Sequence, residues 1–285
     1  MRRDDEPAFD LPRVGTVERW AFDYIASEDL AHKLAPGAPP DDADAWEVDA
    51  VPRCIGAPGR PKGLVLSRKG VKTPSAIALR EPQKRAAMLH TFLHHELQAA
   101  ELMCWALLAF PEAPRAFRKG LLGICRGEIR HMAMYAEALD GLGTRFGALP
   151  VNDWFWQRVP SAPDPLSFVS VMGLGFEAGN LDHAARFAAR FEEAGDAEGA
   201  RIQRIVAEEE VAHVRFGAFW FERLSGPLTF EAWTAKLPPP LSPMVMRGEP
   251  IQREARKRAG MSEAFVDAVA AYSPMPEGPP CAPGS

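Results

Sequence analysis

Two copies of the pattern Glu-x-x-His carry the clearest chemical potential in this sequence: Glu128-Ile129-Arg130-His131 and Glu210-Val211-Ala212-His213. On a helix, residues three apart share a face, so each pair can reach a common ion. One such pattern means little, because Glu is abundant on helices and the motif arises often by chance. Its repetition means more. Glu96 stands 32 residues before Glu128, and Glu177 stands 33 before Glu210. That interval suits a helical hairpin with each arm about four turns from loop to site. The two halves therefore read as copies of one unit, each supplying a lone carboxylate and a Glu/His pair.

The direction in which each residue faces is a sharper test. At ~100° per residue, a ligand must sit among apolar neighbours, whereas a surface acid sits opposite them. Leu89, Phe92, Leu93, Ala100, Met103 and Leu107 fall within about 60° of Glu96, while His94 and Glu101 lie far round, so Glu101 is expected outside. Phe117, Leu121, Ile124, Met132, Tyr135 and Leu139 share the face of Glu128 and His131, with Arg126, Arg130 and Glu137 turned away. Ser170, Gly173, Leu181, Ala184, Ala188 and Phe191 surround Glu177. Val206, Val214, Gly217, Phe221 and Leu224 surround Glu210 and His213. Four carboxylates are thus aimed at one interior.

Burying four ionised carboxylates together costs several kcal/mol for each desolvated charge, and like charges add repulsion. Cations or protons must accompany them. Two divalent metals balance the charge, and a mixed Glu/His set suits iron or manganese better than calcium, which prefers oxygen alone, or structural zinc, which favours Cys and His. The expected cofactor is two iron ions, with manganese or a mixed manganese/iron pair as the alternative. Glu128 and Glu210 are expected to bridge, while Glu96 with His131 and Glu177 with His213 complete the separate ligand shells. A degenerate site without metal, or a structural polar network, is the competing reading.

These residues need four long helices, and the helical period appears at about 82–109, 114–140, 165–194 and 197–224. Pro111 and Pro114 separate the first two, and Ala194-Gly195-Asp196 the last two; both short connections imply antiparallel neighbours. Residues 141–164 form a longer connection, carrying Trp154, Phe155 and Trp156, that permits a crossover along the bundle. A helix over 16–34 is expected to open the chain, followed by Pro/Gly-rich loop with a short strand-like Leu64-Val65-Leu66. After Leu224 comes a proline-rich stretch, a last helix over 262–271 and a frayed end from Ser273. The fold class is all-α: two antiparallel hairpins forming a four-helix bundle over 82–224, with an N-terminal helix and wrapping loop over 1–81 and an extension over 225–285.

The chain has 285 residues, of which 47% are apolar, ample for a buried core. A net charge of -5 gives no general attraction to phosphate or anionic lipid. No apolar run reaches the ~20 residues a membrane helix needs, and the start of the chain turns acidic where a signal peptide would be apolar. A cytoplasmic location is the default expectation. Cys54, Cys104, Cys125 and Cys281 show no paired spacing and read as free thiols.

At the ligand positions the chain resembles the ferritin-like di-iron carboxylate superfamily. More narrowly, it looks like the bacterial ferritin-like family catalogued as domain of unknown function 455. The likeness runs through Thr16-Val17-Glu18-Arg19-Trp20, Asp29-Leu30-Ala31-His32-Lys33, His95-Glu96-Leu97-Gln98-Ala99 and residues 208–217. Two departures stand out. The third long helix has Gly179 where a basic residue is expected nearby, and 237–243 replaces an expected Pro-Phe-Asn, so substrate recognition is expected to differ. The resemblance implies the bundle and metal chemistry, and supplies no reaction.

Other residues admit blander roles beside the chemical ones. Asn180 takes the position that His holds on the second and fourth helices and can bond a ligand or serve as a core amide. Tyr135, one turn beyond His131, can tune the metals or merely pack with its hydroxyl bonded, the favoured reading. His90 and His94 lack an accompanying H-E-x-x-H pattern and are read as surface or structural. Asp182 and Glu209 can orient ligating imidazoles, though solvated side chains are the safer expectation. The Trp154, Phe155 and Trp156 segment can line a channel or cap the bundle.

The leading functional expectation is an oxygen-dependent oxidoreductase, a hydroxylase or oxidase of a small molecule or modified nucleoside. Its partners would be dioxygen, that substrate and an external electron donor; no membrane is expected, and nucleic acid only as the modified nucleoside. A homodimer is left open. Ferroxidase or iron handling is the alternative, and a metal-binding structural or stress protein the second. Because fold does not determine function, the segments outside 82–224 favour an enzyme only modestly, as walls for a pocket.

Overall fold

The computed structural model describes residues 10–41, 45–67 and 73–274. Thr16, accepting from the Arg19 amide, caps α1 (Val17–Ala26), and Asp29, accepting from Ala31, starts α2 (Leu30–Leu34). The single helix expected over 16–34 is therefore two. Asp29 offers its side chain to the backbone and opens a new helix where one continuous helix would have passed.

Pro82 occupies the first turn of α3 (Pro82–Ala109), where its missing N–H costs nothing. Residues 110–114 turn the chain into α4 (Arg115–Gly141), which packs along α3. Asp164 caps α5 (Pro165–Val171) through the Ser167 amide. A π-helical turn, Met172–Glu177, then leads into α6 (Ala178–Glu193). Asp196 caps α7 (Ala197–Ser225), which packs along α6 and also meets α4 and α5. After them come the short α8 (Phe230–Thr234) and α9 (Arg253–Arg258), both unanticipated, and α10 (Glu263–Ala271). Among the described residues the structure is otherwise loop, short 3-10 turns and one parallel bridge, Leu66 to Val151, where a strand-like segment was expected. No described helix is long and apolar enough to cross a membrane.

The most consequential difference from expectation lies on the far side of α3. Glu101, expected outside, is fully buried, as is His94. The N-terminal region and the crossover cover that face. Lys33, Arg60 and Trp156 all donate to Glu101, at 2.6, 2.6 and 2.8 Å, and Arg60 adds a second contact at 2.9 Å. Arg60 also pairs with Asp153, which meets His94 Nε2 at 3.0 Å. Gln98 brackets the crossover by donating to the Asn152 carbonyl and accepting from the Phe155 amide. His90 is buried too, accepting from the Gly147 amide at 2.9 Å. Thus α3 is buried almost all round, and an angular separation from Glu96 says nothing about exposure when a second layer supplies partners.

The extension after α7 is fastened in the same way. Asp182 is buried, accepting from the Gly248 and Gln252 amides and from both terminal nitrogens of Arg256. It orients no imidazole ligand, and it is not solvated. Leu224, placed on the inner stripe of the last helix, is 40% exposed near the end of α7, where the packing runs out. Cys104 and Cys125 are buried free thiols 3.5 Å apart, and Cys54 is free and exposed. Cys281 and the part of the expected frayed end beyond Pro274 lie outside the described residues.

Candidate metal centre

The six residues singled out by spacing come together. Glu96 on α3, Glu128 and His131 on α4, Glu177 at the end of the π turn, and Glu210 and His213 on α7 are all buried. Their donor atoms form two overlapping groups. Glu96, Glu128, His131 and Glu210 make one, and Glu128, Glu177, Glu210 and His213 the other, each with its donors within 4.8 Å of one another. Glu128 and Glu210 belong to both. The Oε2 atom of Glu128 lies 3.1 Å from His131 Nδ1, and its Oε1 atom lies 2.9 Å from His213 Nδ1, so one carboxylate spans the imidazoles of both halves.

Local sequence makes this convergence possible. Gly127 leaves room for the His213 ring, since a Cβ there would stand 3.1 Å from its Nε2. The π turn inserts an extra residue into the third long helix and sets the rotation of Glu177. Carbonyls around that turn find partners outside the helix: Ser170 accepts from Trp233 Nε1 at 2.9 Å and Ala178 from Arg256 Nη2 at 3.1 Å. The extension after α7 thereby satisfies the irregular backbone that carries Glu177.

The charges show what the cluster requires. Burial and the neighbouring Glu128 push the Glu96 carboxyl well above the usual range, and burial with Glu210 does the same to Glu177. Burial opposes a charge on Glu128 as well, but His213 and His131 overcome it and hold that carboxylate well below its ordinary value. Despite burial, His131 is pushed up to about 12 by Glu128 and Glu96. His213, equally disfavoured by burial, is raised to about 10 by Glu128 and Glu210. Free of cations, the cluster is therefore neutralised by protons.

Protons leave it incompletely satisfied. Glu177 Oε1 is buried without a hydrogen-bond partner. Glu128 Oε1 lacks a well-directed hydrogen bond despite its 2.9 Å approach to His213. The buried Glu/His groups have the chemistry to hold a metal ion.

The surroundings fall partly as expected. Glu209 Oε2 meets His131 Nε2 at 2.9 Å and is held by Arg130 at 2.7 Å, so it fixes the ring and leaves Nδ1 facing the cluster. Asn180 Nδ2 donates to Glu210 Oε1 at 2.9 Å. The Tyr135 hydroxyl accepts from Gln203 at 2.8 Å, and burial together with Glu96 and Glu210 raises it well above the ordinary phenol value. A cavity lies beside the cluster, and Trp154 and Phe155 of the segment expected to line a channel or cap the bundle stand on its wall. It has a volume of about 380 Å³ and reaches Glu96, Glu177, Tyr135 and Asn180, with Trp154, Phe155, Phe176, His95, His183 and Arg186 also on its wall. Trp156 does not line it; its indole bonds Glu101 instead.

Comparison with known proteins leaves the chemistry to the site. A family model described as "Protein of unknown function (DUF455)" matches residues 18–267. An uncharacterised protein of Haemophilus influenzae is 25% identical over 192 residues, covering 64% of this chain and 66% of that protein. The chain thus spans slightly less than two thirds of this relative's length. No solved structure matches significantly.

Proposed function

We propose that this chain, which belongs to the DUF455 family, holds two iron ions in a ferritin-like four-helix bundle and catalyses oxygen-dependent oxidation of a small organic molecule. The observation that carries the reading is the sharing of Glu128 and Glu210 between two four-residue donor groups, as bridging ligands of a metal pair would be shared. In this reading, α3 with α4 and α5–α6 with α7 are the two hairpins of the bundle. Glu96 and His131 complete one ion's ligands, and Glu177 and His213 complete the other's.

When bound, such a pair supplies oxygen binding and one-electron chemistry that side chains do not. The protein's part is positional. Glu209 takes the Nε2 proton of His131 into a hydrogen bond and so presents Nδ1. Asn180 restrains one oxygen of Glu210, and the apolar helices exclude bulk water from the carboxylates. Because the cavity abuts Glu96 and Glu177, an organic molecule can reach the ions from that side. That cavity favours turnover of an organic substrate over iron storage.

The test is anaerobic loading with ferrous iron, metal analysis, then exposure to oxygen followed optically. About two irons per chain and a transient visible absorption are expected. Accumulation of many irons per chain would instead make iron the substrate, and bound metal inert to oxygen would make it structural. Loading with manganese in parallel decides the metal preference.

A further inference from the structure

The cavity beside the cluster has a chemical character of its own. Its wall includes Phe155 and Phe176, nearly parallel with ring centroids 4.6 Å apart, and Trp154, 4.9 Å from Phe176. Phe92 and Phe187, edge to face at 4.8 Å, add a second aromatic group. These faces favour a flat, conjugated body.

Arg186 supplies the polar end. His95 and His183 also line the cavity, but Arg186 is the one arginine or lysine among the described residues on its wall, and burial with the adjacent Arg186 lowers His183. Arg186 is therefore the permanent positive charge on that wall. Its Nη2 donates to His183 Nδ1 at 2.8 Å, which leaves the His183 proton on Nε2 as a further donor. The Nε of Arg186 is buried with no partner. Among the described residues no carboxylate forms an ion pair with Arg186; nearby Asp182 is committed to Arg256, and Glu249 makes no ion pair. A guanidinium whose donor fork is spent only on a neutral imidazole is suited to an incoming anion.

We propose that the cavity binds a flat organic anion, its carboxylate or phosphate on Arg186 and its far end at the cluster. This deepens the oxidoreductase reading and rests on it for the anion's role as substrate. Glu177 and Arg186 both line the cavity, nine residues apart on a continuous helical run, which is about 13 Å of axial rise at 1.5 Å per residue and about half a turn round the axis. A molecule about two rings long with an anionic terminus bridges most of that span, and a 380 Å³ cavity accommodates it.

Binding of biphenyl-4-carboxylate, biphenyl-4-yl phosphate and the neutral 4-biphenylmethanol can be measured calorimetrically, with metal-free and manganese-loaded protein. At least one anion should bind about tenfold or more tightly than the alcohol in both forms, and comparing the two anions separates carboxylate from phosphate. Arg186→Gln should abolish the preference without changing the alcohol's affinity or the metal content, and Arg186→Lys should restore part of it. Equal affinities, no binding of any probe, or a preference indifferent to Arg186 would overturn the proposal. A preference confined to loaded protein and insensitive to Arg186 would place the anion on the metal and overturn it equally. Metal bound without anion preference sinks the anion site alone; an Arg186-dependent preference in a chain that holds no metal sinks the oxidoreductase reading and, with it, the anion's assignment as substrate.

Discussion

Two buried glutamates on the same helix should respond to the same substitution with opposite signs. Glu101 accepts four hydrogen bonds, from Lys33, twice from Arg60 and from Trp156, and its side chain is fully buried. Glu101→Gln keeps the shape but removes the charge that offsets a fully buried ammonium and a nearly buried guanidinium. Breaking a buried ion pair from one side costs about 3–5 kcal/mol, and in a chain of this size that lowers Tm by roughly 10 °C. Burial already pulls the Lys33 ammonium below its ordinary value, so shedding its proton limits the loss. Glu96, five residues earlier, sits among Glu128 and other carboxylates instead, and its charge is disfavoured by burial and by Glu128. Glu96→Gln should therefore leave metal-free protein as stable as wild type, or stabilise it by about 0.5–2 kcal/mol, as removal of functional-site strain does. The assay is urea unfolding of both variants after exhaustive chelation. A loss below about 1 kcal/mol for Glu101→Gln, or equal destabilisation by both, would refute this division into a structural and a functional acid.

Other outcomes follow from the same charges. Ligation displaces the protons on His131 and His213, so uptake of metal at pH 7 should release at least two protons per chain and up to four if Glu96 and Glu177 also lose theirs; a pH-stat during anaerobic titration reads this, and release of fewer than one would contradict it. Those raised values also give opposite pH trends. The stabilising protonation of His131 and His213 is fully present below about 6.5 and declines above it, until it is lost near about 10 for His213 and about 12 for His131. Metal-free protein should accordingly lose Tm between pH 6.5 and 9 in calorimetry, while loaded protein loses less or gains. Glu209→Gln should weaken metal affinity by about 10–100-fold, because it loosens the His131 ring, with little effect on the fold; competition against a coloured chelator measures it.

The positions that form the buried Glu/His cluster were legible because they obey a local rule. Glu96, Glu128, Glu177 and Glu210 sit inside apolar stripes whose 3.6-residue period shows in the sequence, and the repeated interval aligned them across hairpins. The long helices were legible for the same reason, to within a residue or so at most ends. What escaped depends on partners far away in sequence. Glu101 is buried by Lys33, Arg60 and Trp156, which no periodicity on α3 reveals. Asp182 looked like a surface acid until Arg256, 74 positions on, came to meet it. The π turn had one local trace, Gly173 and Gly175 within the helical run preceding Glu177, but glycine in a helix has many causes. Gly173 also lets the backbone approach α7, since a Cβ there would stand 3.0 Å from the Gly217 Cα.

The central claim is a pair of ions shared by Glu128 and Glu210. Equilibrium dialysis of metal-free protein against ferrous iron under argon, followed by iron and protein determination, tests it most directly. Wild type should hold about two irons per chain, Glu128→Ala and Glu210→Ala fewer than about half an iron, and the exposed-site control Glu137→Ala about two. Wild type holding none, or Glu128→Ala retaining both, would contradict it.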